Sequence, residues 1–340
     1  MKRNLLTSTL IVIVSYSCLV MAQETKLVPK EVHSPDSWVE GWNPWFSIGG
    51  TVNFGHSRSV LGQIDGSSWT LGGSLDTGVE YNHNNHQWNT TLNILEAFSY
   101  APPLSELIKS SDQVQLKTDY YYRIPKAQWT GPFALGQLDT SLFEGEDVRP
   151  GDNNVWTVDG KEFHKGHRVK LTESFSPLHL KEVVGWFARP FSRPTIQWQI
   201  TTGVGAYQVF ADGQYALNDK ADTPQIELQR LESYQQVGSE TGMEVKGVLF
   251  KEKFSYKAYG IVMIPFYRSK GLGEEKSAFE MANVDLGVKF SFRLLSWASL
   301  DYEFRAVRQP QLLDAFQIQN NLMLTFKYEP IKKKIPQKSK

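Results

Sequence analysis

The chain has 340 residues, 36 basic and 36 acidic side chains, and a mean hydropathy of −0.36. No run near 20 apolar residues occurs, which excludes helical membrane spans, and the balanced charge gives no general attraction to nucleic acid. The aromatic share of 13%, with ten Trp and fourteen Tyr, suits a surface where apolar and wet media meet.

Residues 1–22 read as a cleavable signal peptide. Lys2 and Arg3 form a charged start, Leu5 to Val20 an apolar core, and Val20-Met21-Ala22 a small-residue cleavage site before Gln23. Cys18 is the only cysteine, and Ser15 and Tyr16 before it suit a lipoprotein signal poorly. The mature chain therefore has no disulfide, thiolate metal site or cysteine nucleophile, although it is bound for an oxidising compartment. Loss of Lys2 and Arg3 leaves 34 basic against 36 acidic residues, a net charge of −2. Residues 23–44 are polar, with Trp38 and Trp42, and are expected as a periplasmic leader or a small plug.

From residue 45 the dominant signal is two-residue alternation, which a strand produces because successive side chains face opposite sides. Phe46, Ile48, Val52 and Phe54 alternate with Ser47, Gly49, Thr51 and Asn53; Trp69, Leu71, Leu75, Val79 and Tyr81 alternate with Thr70, Ser74, Asp76 and Glu80. The pattern recurs from Ile196 to Ala206, from Ala282 to Arg293 and from Phe316 to Tyr328. Strands of soluble domains commonly hold about 5 or 6 residues; these segments are longer and fit the roughly 9 to 11 residues of a tilted membrane strand with extensions.

Short connections at His83 to Gln87, Pro125 to Gln128, Pro190 to Arg193, Lys251 to Lys253 and Leu295 to Ser296 alternate with longer ones. The longer ones are His56 to Gly66, Ala101 to Ser111, Phe143 to Gly166, Ala211 to Gln235, Arg268 to Ala278 and Gln309 to Ala315. Counting residues 167–189 as one crossing, bulged or broken near Pro177, gives twelve strands. The expected fold is an all-β, transmembrane, antiparallel up-and-down barrel over 45–328, with long loops outside and short turns in the periplasm. A large soluble sandwich or lipocalin-like barrel is the competing architecture. Tyr81, Trp88, Tyr122, Trp129, Phe250, Phe254, Trp297 and Tyr328 fall at the level of the short turns, as an interfacial girdle requires. Residues 329–340, with five lysines and two prolines, read as a disordered basic tail.

Several motifs carry a resemblance: Trp45-Phe46-Ser47-Ile48-Gly49-Gly50, its echo Trp69-Thr70-Leu71-Gly72-Gly73, and Trp88-Asn89. Further along are Ser174-Phe175-Ser176-Pro177-Leu178 before Gly185-Trp186, and Pro310 with Phe316-Gln317. On these the chain resembles a Gram-negative outer-membrane β-barrel family of unknown function. The resemblance implies a barrel in the outer membrane and supplies no catalytic residues. The paired glycines are explained equally by close strand approach.

Chemistry is sought on the polar phase of the strands. Asp76, Glu80, Lys117, Asp119, Arg123, Glu240, Glu244, Lys246, Asp285, Lys289, Arg293, Asp301, Glu303 and Arg305 are the expected lumen charges. Their mixed signs predict pairing across a narrowed lumen, or a polar conduit whose charges tune selectivity. His56-Ser57 is adjacent in sequence and so faces opposite ways on a strand, a poor start for a hydrolase. His164, His167 and Glu162, or His83 and His86, are the only groupings with a metal flavour, and solvated loop histidines are the ordinary alternative. Asn89-Thr90-Thr91 matches a glycosylation sequon at a strand start in a bacterial-type chain and carries no weight.

The expectation is a non-enzymatic outer-membrane barrel, structural or a passive narrow pore, without cofactor or catalytic residues. Its expected partners are outer-membrane lipid, the barrel-assembly machinery and small polar solutes. A surface-exposed binding or adhesion protein using its long loops is the alternative, and an outer-membrane hydrolase a distant one.

Overall fold

Alternating segments need a partner on each edge and a different medium on each face, and a closed antiparallel barrel supplies both. The structure, a computed structural model, describes residues 39–57, 66–100, 102, 104, 106–193, 195–218, 223–269, 276–311 and 313–331. Among them there are eighteen strands and no helix. In chain order they are β1 (Gly41–Ser57), β2 (Gly66–His83), β3 (His86–Tyr100), β4 (Ile108–Tyr122), β5 (Thr130–Thr140), β6 (Gly145–Val148), β7 (Asn154–Val158), β8 (Lys161–Gly166) and β9 (Arg168–Thr172). There follow β10 (Leu178–Arg193), β11 (Ile196–Phe210), β12 (Tyr215–Leu217), β13 (Ile226–Arg230), β14 (Tyr234–Leu249), β15 (Phe254–Arg268), β16 (Asn283–Leu295), β17 (Ala298–Gln309) and β18 (Leu313–Ile331).

Twelve of these close a barrel in the order β1-β18-β17-β16-β15-β14-β11-β10-β5-β4-β3-β2, antiparallel throughout. The strand count is the one read from the sequence. In β1, Asn43, Ser47 and Thr51 are buried while Trp42, Ile48, Val52 and Phe54 are exposed. That inversion of a soluble protein's pattern, polar within and apolar without, is what a bilayer selects.

Four boundaries differ from the sequence reading. β1 begins at Gly41, so 41–44 belong to the barrel and not to a leader. Pro44 is tolerated there because the ladder to β18 starts only at Phe46, leaving its absent amide with no barrel bond to make. Residues 167–189 are not one crossing. β9 joins β6 in a separate two-stranded sheet, and the barrel strand starts at Leu178, beyond Phe175 at φ 58 and the cis Ser176–Pro177 bond. The last outer connection is short, 310–312, because β17 and β18 pair to Gln309↔Leu313. β18 also runs to Ile331, past the predicted end at 328. The signal peptide, residues 23–38 and 332–340 lie outside the described residues.

The two longest outer connections, 141–177 and 211–233, build a small cap of their own. β7 pairs with β8 within the first connection, β12 with β13 within the second, and β7 with β13 in parallel, giving the sheet β12-β13-β7-β8. Trp156, Val158, Val169, Leu217, Ile226 and Leu228 form its buried core. The Trp156 indole donates to Asp147 Oδ2 at 2.8 Å, and Arg149 Nε holds the same carboxylate at 2.8 Å. Lys170 bridges Glu173 (2.5 Å) and Glu144 (2.9 Å), and hydrogen bonds from its ammonium to Glu173 first and Glu144 second hold its pKa above the usual lysine value. Leu142 and Phe143 donate their amides to Asp112, and Arg168 reaches Glu106, so the cap is rooted on β4 and the connection just before it.

Candidate lumen site

Because side chains of one phase all enter the same enclosed space, charged residues far apart in sequence are driven to find each other there. On the β14 side Lys181 meets Glu240 at 2.8 Å, while Lys246 (3.1 Å) and Lys257 (2.5 Å) share Glu244. On β4 Lys117 lies 3.7 Å from Asp119 and within electrostatic reach of Glu240 and Glu244, which ties the two sides together. Further round, Arg305 grips Asp285 with two hydrogen bonds of 3.1 and 2.7 Å, and Tyr259 donates to the same carboxylate at 3.2 Å. Lys289 stands opposite Glu303 in register, and Asp301 accepts from Ser299 at 3.0 Å. This belt sets the cations Lys117, Lys181, Lys246, Lys257, Lys289 and Arg305 against the anions Asp119, Glu240, Glu244, Asp285, Asp301 and Glu303.

The remaining predicted charges lie off the belt. Glu80 is buried and accepts from Asn82 at 2.6 Å. Asp76 sits between Ser47 and Asn93 in register, and its carbonyl accepts from Ser47 at 3.5 Å. Arg123 is at the short-turn end, where it donates to Gln87 at 3.0 Å. Arg293 is at the same short-turn end, exposed and 3.7 Å from Glu252 of the 250–253 turn. It keeps the phase of Asp285 and Lys289, paired with Ser299 one step before the register slips at the strand end.

Below the belt, toward the short turns, part of the lumen wall is packed. Tyr121, Phe133, Val183 and Phe187 form a buried cluster inside the barrel. Arg189 lies over the Tyr121 and Phe187 rings at 4.5 and 5.1 Å, and donates to Gln87 (2.9 Å) and Gln199 (2.7 Å). The ring faces and amide oxygens together hold this guanidinium in place. Trp45 also turns inward, and Gly78 makes room for it: a Cβ at Gly78 would stand 2.4 Å from the indole.

Sequence reasoning missed Lys181, Arg189 and Lys257. The first two fell in the 167–189 stretch whose phase was lost. Lys257 shares its inward face with Tyr259, Ile261 and Met263, which blurs the alternation. Also missed was a buried set near the cap, where His179 Nδ1 and Tyr207 Oη lie 2.8 Å apart and Gln309 donates to the same hydroxyl at 2.8 Å. Asp139, opposite His179 in register, accepts from Gln115 and Gln137 at 2.7 and 2.6 Å.

The predicted girdle residues all lie at the short-turn end. Trp129, Phe250, Trp297 and Tyr328 are exposed there. Tyr81 packs with Trp42 at 4.6 Å, Tyr122 with His86 at 5.1 Å, Phe254 with Phe292 at 4.6 Å, and Trp88 with Trp42 at 6.2 Å. Trp42, read as leader, belongs to this ring.

The histidines are scattered. His83 meets Glu40 at 2.8 Å, His86 meets Tyr120 at 2.5 Å, His164 packs on Trp156, and His167 lies 3.5 Å from Asp152. Among the described residues no group of three His, Cys, Asp or Glu gathers in metal-binding geometry. The side chains of His56 and Ser57 lie outside the described residues. Asn89 donates to Asp119 at 2.7 Å.

No protein-family model matches the chain, and no curated protein does. Solved barrels do align with it. The beta domain of the Bordetella autotransporter BrkA covers 85% of this chain and 99% of its own, at 10% identity and a TM-score of 0.34. An outer membrane channel from Pseudomonas putida covers 88% and 99%, at 8% identity and a TM-score of 0.39. The translocator domain of the Neisseria meningitidis autotransporter NalP covers 84% and 88%, at 9% identity and a TM-score of 0.35. At these scores the likenesses carry no argument, and the barrel stands on the chain's own strand pairing and its inverted surface.

Proposed function

We propose that the chain is a Gram-negative outer-membrane barrel, exported on its signal peptide and inserted by the barrel-assembly machinery. In this reading it belongs with the barrel family that its Trp-Gly motifs resemble, and its lumen is a narrow, passive, non-catalytic conduit for small polar solutes. The belt carries the reading: six cations and six anions on the inner wall of a closed barrel whose outer wall is apolar. Mixed paired charges narrow a lumen while keeping it wet, and their balance sets ion preference.

The test is conductance of the purified protein in planar bilayers. Discrete small steps are expected, and Glu240→Gln with Glu244→Gln removes two anions and shifts the reversal potential toward anion preference. Inserted protein that leaves the bilayer silent contradicts the conduit. The folded cap favours a second reading, surface binding: its outer strand β8 is solvent-exposed along most of its length and presents Phe163. Deleting the cap would then abolish binding of cells to a partner while conductance persists.

A further inference from the structure

The seam where the two ends of the barrel meet is zipped over only part of its length. β1 pairs with β2 at every position from Gly41↔Asn82 to Ser57↔Gly66, and β18 pairs with β17 as far as Gln309↔Leu313. Between β1 and β18 the ladder runs from Phe46↔Ile331 to Val52↔Leu324 and stops. The same register continued would set Asn53 opposite Met323, Phe54 opposite Leu322 and Ser57 opposite Gln319. Among the described residues none of these pairs forms. Both strands carry on beyond the stop, each held along its other edge, and neither 53–57 nor 313–323 contains a proline that would forbid pairing.

Unpaired backbone cannot face hydrocarbon, so an open edge at membrane depth must line a wet or polar space. This edge is at membrane depth, because Phe54, Ile318 and Leu322 face outward and are exposed. Its inner side is mostly polar, with Thr51, Asn53 and Gln317 on the lumen phase beside the buried Met323. Asn53 is exposed although its phase-mates Asn43, Ser47 and Thr51 are buried. The slot therefore grades from mostly polar at the lumen, through seam-facing amides and carbonyls that no described strand residue pairs, to apolar at the membrane.

We propose that the long-loop half of the β1–β18 seam is a lateral port for a single-chain amphiphile, whose polar head occupies the lumen while its apolar tail passes between the strands into the membrane. The proposal rests on the membrane-barrel reading. A free headgroup solute would need only the lumen; the tail is what needs the slot.

The experiment uses the full mature chain in liposomes, dansyl undecanoate as amphiphile and glycine as polar solute. The pair Asn53→Cys and Met323→Cys closes the slot on oxidation. The pair Thr51→Cys and Thr325→Cys crosslinks a stretch that is already zipped. Saturable dansyl fluorescence above that of protein-free liposomes should be lost on oxidation of the first pair, return with dithiothreitol, and be untouched by the second. Glycine-driven swelling should persist throughout. Unchanged dansyl fluorescence after confirmed crosslinking overturns the port, as does loss of swelling together with the fluorescence, which would mean one shared lumen route. Should the first pair not crosslink, Asn53→Trp fills the slot, and dansyl binding that survives it overturns the port. Hydrogen exchange reads the geometry directly: the alternate amides of 53–57 and 316–323 that point at the seam should exchange far faster than the seam-facing amides of 48–52 and 324–328, while those bonded to β2 and β17 stay protected, and equal protection of the two seam-facing sets overturns the proposal. A protein that stays soluble without detergent and never enters liposomes overturns the membrane reading itself.

Discussion

In β16 the apolar phase, Leu286, Val288 and Phe290, faces away from the lumen, whereas in β7 Trp156 and Val158 turn onto β9, β12 and β13. Leu286 is 41% exposed and Trp156 0%. In both, successive side chains point to opposite faces, which makes a strand and does not decide which face is inside. Length separates them. Barrel strands run from 11 to 19 residues and cap strands from 3 to 6. At about 3.3 Å per residue only the former cross an apolar band some 25 Å tall when tilted. The cap is held as a soluble domain is, by a dry apolar core; the wall is held by a closed ladder, with its apolar side given to lipid.

The comparison breaks most visibly in the cap. Trp156→Ala should cost about 3 to 5 kcal/mol, the range for emptying a buried aromatic site, and it also strands Asp147 without its indole donor. Protease should then cut within 141–177, while heat-modifiable migration of the barrel in gels is retained. Loss of both together would mean that cap and wall fold as one unit. In the wall, Leu286→Arg or Val288→Arg places a charge in lipid at about 2 to 4 kcal/mol near the midplane, and should reduce the heat-modifiable form without touching the cap. Asp285→Asn is expected to be milder than either, at about 1.5 to 3 kcal/mol, the worth of hydrogen bonds to a charged group. It leaves Arg305 without its two-pronged carboxylate, and a double change with Arg305→Gln should recover part of the loss.

That last expectation could not be made from the sequence, which placed Asp285 and Arg305 on the polar phase but could not say that they meet. Phase was legible wherever the apolar face was unbroken, as in β1, β2 and β16. It was lost where prolines sit at register slips, such as Pro190 beside the Ala188/Phe191 bulge and Pro265 opposite Gly238, because an extra residue flips every side chain beyond it. The cap was invisible for a different reason. Its strands are too short for periodicity to register, and the β7–β13 pairing joins residues about seventy positions apart. The close approach read from the paired glycines is tighter at a place the sequence did not single out for it, Gly185 and Gly203, where a Cβ would fall 2.1 or 2.2 Å from the opposite carbonyl.

The central claim, that the barrel faces lipid outward and water inward, is tested most directly by single nitroxide labels at each position from 284 to 290 in liposomes. Collision rates with oxygen and with an aqueous nickel chelate should alternate, with oxygen favoured at 284, 286, 288 and 290 and nickel at 285, 287 and 289. A flat profile, or one inverted in phase, would contradict it.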